Sequence, residues 1–349
     1  MRGVVWHAPY DVRVAEDLPL PRPLAARDAV VRVTRAAICG TDLHPYRGEI
    51  ADFPPGTVLG HEFTGVVEEV GRARPGGLRP GDRVLASDLI ACGACWYCQR
   101  GWHYQCPSVS LFGYGTVVGQ DVPGGQADFV RVPYADVVLS RIPDDLSDEQ
   151  VLFVGDILTT GYTCAREAGI APGDTVAVVG CGPVGLFALS SALLLGAARV
   201  LAIDPDPARR ACAARLGAQP VAIEDGGGVE QVRALSAGRG ADVVLEAVGT
   251  DAALRTALEV ARPRGSVVAV GAHHSEAMPF STRQAFAREL TLRFAVGDPI
   301  RTRGELLPLL QAGRLDPTAV ISHRLPLAEA RQGYQLFDRR VATKVVLIP

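Results

Sequence analysis

The chain has 349 residues, 48% of them hydrophobic, which excludes a small disulfide scaffold and implies two domains. With 35 basic against 38 acidic residues and a formal net charge of -3, the global balance points to neither a nucleic-acid partner nor a membrane surface. No apolar run reaches the ~18 to 20 residues that span a bilayer, and the opening MRGVVWHAPYDVRV lacks a hydrophobic core and a small-residue cleavage site, so a cytoplasmic chain is expected.

Up to about residue 150 the sequence offers short β-type runs at 30–34, 63–70, 83–86 and 127–132, punctuated by Gly and Pro. This part reads as an all-β barrel or sandwich. The texture then changes. Strands are expected at 175–179, 199–203, 243–245 and 266–270, with helices at 184–195 and 207–216 between them. Alternating strand and helix means a parallel sheet with crossover helices. A helix at 302–312 and a strand at 345–348 are expected to rejoin the first domain. Gly226 to Gly228 read as a surface loop.

Eight cysteines are present, and four of them, Cys92, Cys95, Cys98 and Cys106, lie within fifteen residues. In a cytosolic chain such a cluster reads as metal binding before disulfides. Four thiolates leave no position for water, so the ion they suit is a structural zinc. A zinc-ribbon nucleic-acid module is the rival, but there is one loop and few nearby bases. Cys181 reads as a small residue in a loop, and Cys164 and Cys212 as core.

Gly180-Cys181-Gly182-Pro183-Val184-Gly185 follows an apolar strand and opens a helix, and Asp204 ends the next strand 19 residues after Gly185. That context makes the loop a dinucleotide cradle: one glycine for the turn, one for close approach of pyrophosphate, one for helix packing, with the helix N-terminus facing the negative charge. Asp204 can accept from the adenosine ribose hydroxyls and repels a 2′-phosphate, favouring NAD over NADP. Arg209 would serve either cofactor and softens that preference.

Two further segments carry metal-type chemistry, Cys39-Gly40-Thr41-Asp42-Leu43-His44 and Gly60-His61-Glu62. Cys39 and His61 suit zinc. Their spacing alone leaves a buried cysteine and a hydrogen-bonded histidine equally open.

Taken together in this order and spacing, these motifs resemble the zinc-dependent alcohol dehydrogenases of the medium-chain dehydrogenase/reductase superfamily over essentially the whole chain. The resemblance implies an α/β protein with a GroES-like β-rich catalytic domain at 1–152, a doubly wound parallel-sheet Rossmann domain at 153–296 and a segment at 297–349 that completes the first. It implies an active site in the cleft between them, two zinc ions per chain, NAD, and a homodimer or homotetramer acting on a small molecule. Cys39, His61 and Asp156 become ligands of the catalytic zinc, with Glu62 ligating or just behind. Aspartate as third ligand resembles bacterial secondary-alcohol and formaldehyde dehydrogenase-like branches. Asp42 orients the zinc-bound histidine, Thr41 takes the substrate proton, and His44 ends the relay to solvent. Thr160 holds the nicotinamide, and Gly180, Gly182, Pro183, Val184, Gly185, Asp204 and Arg209 hold the remainder of the cofactor. Gly40 departs from members with arginine there. Lys344, the single lysine, matches a basic position near pyrophosphate, an exposed surface lysine being the alternative.

The implied reaction interconverts an alcohol, secondary by preference, and its ketone or aldehyde. The alternatives are a polyol, sugar or amino-sugar dehydrogenase, a formaldehyde dehydrogenase-like enzyme, and a non-enzymatic zinc or nucleotide-binding protein of the same fold. Thr41 and His44 beside the metal speak against the non-enzyme. Cys39, His61 and Asp156 speak against a zinc-free quinone reductase. Pocket walls are expected from 46–55, 102–114 and 271–280, where Trp102, Phe112 and Tyr114 offer apolar surface or packing, and His273 and His274 a hydrogen bond to a polar substrate or none.

Overall fold

The computed structural model describes residues 1–223 and 227–349. They form two compact units, Met1–Asp156 with Asp298–Pro349, and Ile157–Gly297. The sequence reading places its breaks after 152 and 296.

The first unit is built on a sheet ordered His323–Pro326, Val345–Ile348, Ala29–Ile38, Glu62–Val70, Arg83–Ala86 and Leu139–Arg141, with Phe129–Val132 also paired to Ala29–Ile38. β-Branched and small apolar residues dominate the central strand, as a buried pleated surface requires. The C-terminal segment does rejoin this unit: Val345 pairs antiparallel with Ile38, while Glu62 pairs with Ala37 from the other side. That register brings the residues flanking three strands, Cys39, His61-Glu62 and Lys344, to one end of the sheet. Beneath it Phe63 meets Phe112 edge to face at 5.2 Å, a geometry worth about 0.5–1.5 kcal/mol beyond burial.

The unit is β-rich but not all-β. Gly40–Tyr46 is a helix, started by the Asp42 carboxylate accepting the Cys39 N–H at 2.9 Å, the reach-back half of a capping box. A second box, in which Ser147 N–H donates to Gln150 Oε1 at 2.9 Å, starts the helix Asp148–Leu152. The chain then tightens into a 3₁₀ turn, Phe153–Gly155, that ends on Asp156.

The described residues of the second unit form a sheet of six strands, all parallel, ordered Gln219–Val221, Arg199–Ile203, Thr175–Val179, Ala241–Glu246, Ala261–Ala269 and Thr291–Phe294. This is the doubly wound order, whose switch point lies beside the strand Thr175–Val179. The helix Pro183–Leu194 follows it, and Pro at its first position supplies a preset φ. Gly227 and Gly228 belong to the helix Gly227–Leu235 rather than a surface loop, and Gly226 lies outside the described residues. Among the described residues no helix is long and apolar enough to cross a membrane.

Candidate active site

Among the described residues two groups of metal-type donors form, both within the first unit. In each, every ligand atom lies within 4.8 Å of the others: Cys92, Cys95, Cys98 and Cys106 in one, Cys39, His61 and Asp156 in the other.

The cysteine loop folds so that its own amides point at sulfur. Ala94 N–H donates to Cys92 Sγ at 3.4 Å, Cys98 N–H to Cys95 Sγ at 3.5 Å, and Ser108 N–H to Cys106 Sγ at 3.4 Å. Such donors stabilise sulfur in its anionic form. Burial raises the Cys92 thiol, but amide and thiol donors outweigh it and bring it down to about 7. Burial instead pushes the Cys98 and Cys106 thiols up, and the four converging sulfurs fit a closed tetrahedral zinc site. His103, in the same loop, is tied by Nδ1 to Asp298 Oδ1 at 2.9 Å, a buried pair that the sequence reading missed.

In the second group, Cys39 Sγ lies 3.4 Å from Asp156 Oδ2, and His61 Nε2 lies 3.3 Å from the same oxygen. Burial, then the Asp156 and Glu62 carboxylates, push the Cys39 thiol up to about 11. Burial opposes a charged His61, yet Asp42, Cys39 and Asp156 together raise it well above its ordinary range. Burial likewise works against the Asp156 carboxylate, and His61 and Lys344 overcome it and lower that group. One sulfur, one imidazole nitrogen and one carboxylate oxygen, converging with opposed charge preferences, fit a zinc ion that leaves a further position open.

Around these donors, His61 Nδ1 faces Asp42 Oδ1 at 3.5 Å, which leaves Nε2 turned toward Cys39 and Asp156. Thr41 Oγ1 is 3.8 Å from Cys39 Sγ. His44 Nδ1 is 2.6 Å from Glu49 Oε2, a partner not read from the sequence. Lys344 is not a surface lysine: it is 1% exposed, its ammonium pairs with the fully buried Glu62 carboxylate, and its Nζ sits 5.4 Å over the Phe153 ring. The register that seats Val345 beside Ile38 draws it inward.

In the second unit the loop around Gly180 joins the strand Thr175–Val179 to the helix Pro183–Leu194. Gly180 holds φ +91°, and a Cβ on Gly185 would lie 1.8 Å from Gly180 O, so neither position admits a side chain. A Cβ on Gly182 would meet only Arg209 Nη1 at 4.0 Å, which leaves a cradle open at the helix start that Pro183 and Val184 line half-buried. Asp204 Oδ2 accepts the Cys181 N–H at 2.7 Å, and Oδ1 accepts the Asp206 N–H at 2.8 Å. Arg209 comes within 3.9 Å of Asp204, while Arg210, which sequence reading overlooked, donates to the Asp204 carbonyl at 2.6 Å. Thr160 is half-buried on the helix Ile157–Glu167. His273 is committed to Glu246, Nε2 to Oε2 at 3.0 Å, whereas His274 is exposed. Phe112 and Tyr114 belong to the core of the first unit, and Trp102 packs on Trp96 at 5.5 Å. Cys164 and Cys212 are buried, as expected.

Comparison with known proteins agrees with this geometry. Residues 25–144 match the family described as alcohol dehydrogenase GroES-like domain, and 183–312 the family described as zinc-binding dehydrogenase. A probable zinc-binding alcohol dehydrogenase of Mycobacterium tuberculosis is 42% identical over 96% of this chain and 84% of its own. The solved alcohol dehydrogenase of Thermus sp. ATN1 superposes with a TM-score of 0.95 at 44% identity, over 100% of this chain and 99% of that one. A solved NAD-dependent alcohol dehydrogenase superposes at 0.86 with 29% identity, over 100% of both.

Proposed function

Because the chain belongs to the zinc-dependent alcohol dehydrogenase family of the medium-chain dehydrogenase/reductase superfamily, we propose that Cys39, His61 and Asp156 hold its catalytic zinc. The enzyme is an NAD-dependent oxidoreductase that interconverts an alcohol and its carbonyl compound, and its cofactors are NAD and zinc at a catalytic and a structural site. The observation that carries the site assignment is the convergence of the Cys39, His61 and Asp156 donor atoms within 4.8 Å.

When bound, zinc supplies Lewis-acid polarisation of the substrate oxygen, and NAD supplies the hydride acceptor. The protein supplies orientation and proton transfer. Asp42 fixes the His61 tautomer through Nδ1. Thr41, its hydroxyl 3.8 Å from Cys39 Sγ, accepts the substrate proton. His44, whose Nδ1 lies 2.6 Å from Glu49 Oε2, receives it further out. Asp204 accepts from the ribose hydroxyls, Gly180 to Gly185 cradle pyrophosphate, and Thr160 and Arg209 complete the cofactor contacts. Glu62, buried next to His61 in the chain, would stand behind a bound zinc, with Lys344 as its counter-ion.

The aspartate donor supports a secondary alcohol as substrate. The polyol and sugar alternatives lose one support, since His273 is already paired with Glu246. A homo-oligomer is supported by the edge strand Thr291–Phe294, which leaves Phe294 49% and Val296 52% exposed. A cytoplasmic location is supported by the cluster of free thiols. The test is NADH formation across simple secondary alcohols, polyols and amino sugars, alongside metal analysis. Two zinc ions per chain and turnover that disappears with the Cys39 metal are expected. Full turnover by protein holding zinc only at the four-cysteine loop would overturn the assignment.

A further inference from the structure

Behind His61 runs a buried chain of hydrogen bonds that ends on the C-terminal segment. Gln126 Nε2 lies 3.1 Å from the Ala37 carbonyl and 3.2 Å from Asp42 Oδ2. Both of those groups only accept, so the amide must present NH₂ to them and its oxygen to the opposite side. There the Tyr334 hydroxyl donates to Gln126 Oε1 at 2.8 Å. Tyr334, Gln126 and Asp42 have no measurable exposure, so no water competes for these groups.

The consequence for Asp42 follows by elimination. Its Oδ2 is occupied by the Cys39 N–H at 2.9 Å and by Gln126. Its Oδ1 makes no hydrogen bond closer than the 3.5 Å approach of His61 Nδ1, which is itself buried without another partner. The carboxylate is therefore held with one oxygen reserved for His61. The backbone is shaped around the same amide: a Cβ on Gly60, the residue before His61, would lie 2.3 Å from Gln126 Cγ. A side chain there would displace Gln126 and His61 together.

We propose that Gln126 and Tyr334 are positioning residues for the catalytic metal, acting in series through Asp42 to fix the orientation and tautomer of His61. The proposal rests on Cys39, His61 and Asp156 being the zinc ligands. It gives the C-terminal helix Ala330–Asp338 a task at the site, because that helix delivers the one hydroxyl that orients the Gln126 amide.

The test uses the full-length zinc-loaded protein and four chains: wild type, Tyr334→Phe, Gln126→Met and the double variant. Zinc at the catalytic site is titrated by chelator competition, the visible spectrum of the cobalt-substituted site is recorded, and melting temperature is measured separately. Loss of a partner behind a metal-bound histidine typically weakens affinity about 10- to 100-fold. Gln126→Met should fall in that range and Tyr334→Phe should show a smaller loss with a shifted cobalt spectrum. In the double variant, Tyr334→Phe should add nothing to Gln126→Met, because it acts through that amide. Unchanged zinc affinity and cobalt spectrum in both single variants, with melting temperature alone lowered, would reduce the pair to core packing and overturn the proposal. Additive losses would overturn the serial arrangement. A Cys39→Ala control that still holds two zinc ions would instead overturn the assignment of the metal site.

Discussion

Lys344 and Glu62 form an ion pair with almost no solvent exposure, 1% and 0% of their side chains, although 282 residues separate them in the chain. The pair is set by strand register, since Val345 and Glu62 flank the same central strand from opposite sides. Burial raises the Glu62 carboxyl to about 7 even against the pull of Lys344. Burial works against the ammonium, and Glu62 outweighs it and raises that group.

Removing one partner of such a pair leaves an uncompensated buried charge, at a cost of roughly 3–5 kcal/mol, whereas replacing both by neutral groups of similar size is often near neutral. Lys344→Met should therefore destabilise by about that amount in denaturant unfolding, and Glu62→Gln with Lys344→Met should recover most of it. A single variant as stable as wild type would show that the pair contributes little to the fold.

Cys39→Ala and Asp156→Ala each delete a donor from the three-residue group. Loss of several kcal/mol of Lewis-acid stabilisation corresponds to roughly a 10³-fold or greater fall in turnover. The glycine loop and Asp204 stand on a different unit of the chain, so NAD binding, followed by calorimetry, should persist in both variants. Retained turnover would remove the residue from the metal site, and lost NAD binding would point to misfolding instead.

Much of this was legible before the structure because the informative motifs are local. Four cysteines at short intervals, or glycines between a strand and a helix, encode their geometry within one loop, and the strands at 175–179 and 199–203 emerged with the bounds read for them. What was not legible depends on long-range register. Nothing near Lys344 in sequence indicates burial against Glu62, and Gln126 looks like an ordinary polar residue after two glycines until Ala37, Asp42 and Tyr334 surround it. The helix Gly40–Tyr46 is hidden in the sequence because it contains Gly and Pro, poor interior helix formers, and its start depends on the Asp42 carboxylate reaching back to Cys39. In sequence His273 offers a hydrogen bond to substrate, because its partner, Glu246, ends a different strand.

The four-cysteine site should behave as an element of stability. Cys95→Ser should lower bound zinc from two ions per chain to one and reduce the melting temperature by roughly 4–12 °C, taking a loss of about 2–3 kcal/mol at about 2–4 °C per kcal/mol. Mass spectrometry under native conditions and calorimetry read the two effects. An unchanged melting temperature with one zinc ion lost would show the loop to be energetically independent of its unit.

Asp204 is nearly enclosed, and its carboxylate already accepts two backbone N–H groups. Each oxygen keeps a second lone pair for a ribose hydroxyl. Asp204→Ala should reduce the preference for NAD over NADP by roughly tenfold, the scale of one good hydrogen bond to a charged group, seen as a ratio of kcat/KM values. An unaltered ratio would place ribose recognition elsewhere.

The catalytic metal should be lost on acidification, and the sign follows from the donors. Without metal, burial and neighbouring carboxylates push the Cys39 thiol up to about 11, and His61 is raised well above its usual range. The Cys39 thiol is therefore protonated near neutrality and His61 is driven toward its charged form, while zinc requires a thiolate and a neutral imidazole. Binding must release those protons, so affinity rises with pH up to the pKa of each group and falls below it. For each proton displaced, apparent affinity changes about tenfold per pH unit. Between pH 8 and pH 6 the Cys39 proton alone loosens the site about 100-fold, and the His61 proton adds further loss wherever it too must leave. Chelator competition at pH 6, 7 and 8, with the four-cysteine site kept loaded, measures the slope. A flat profile would mean that Cys39 is not a ligand or that its thiol ionises far more readily than its burial implies.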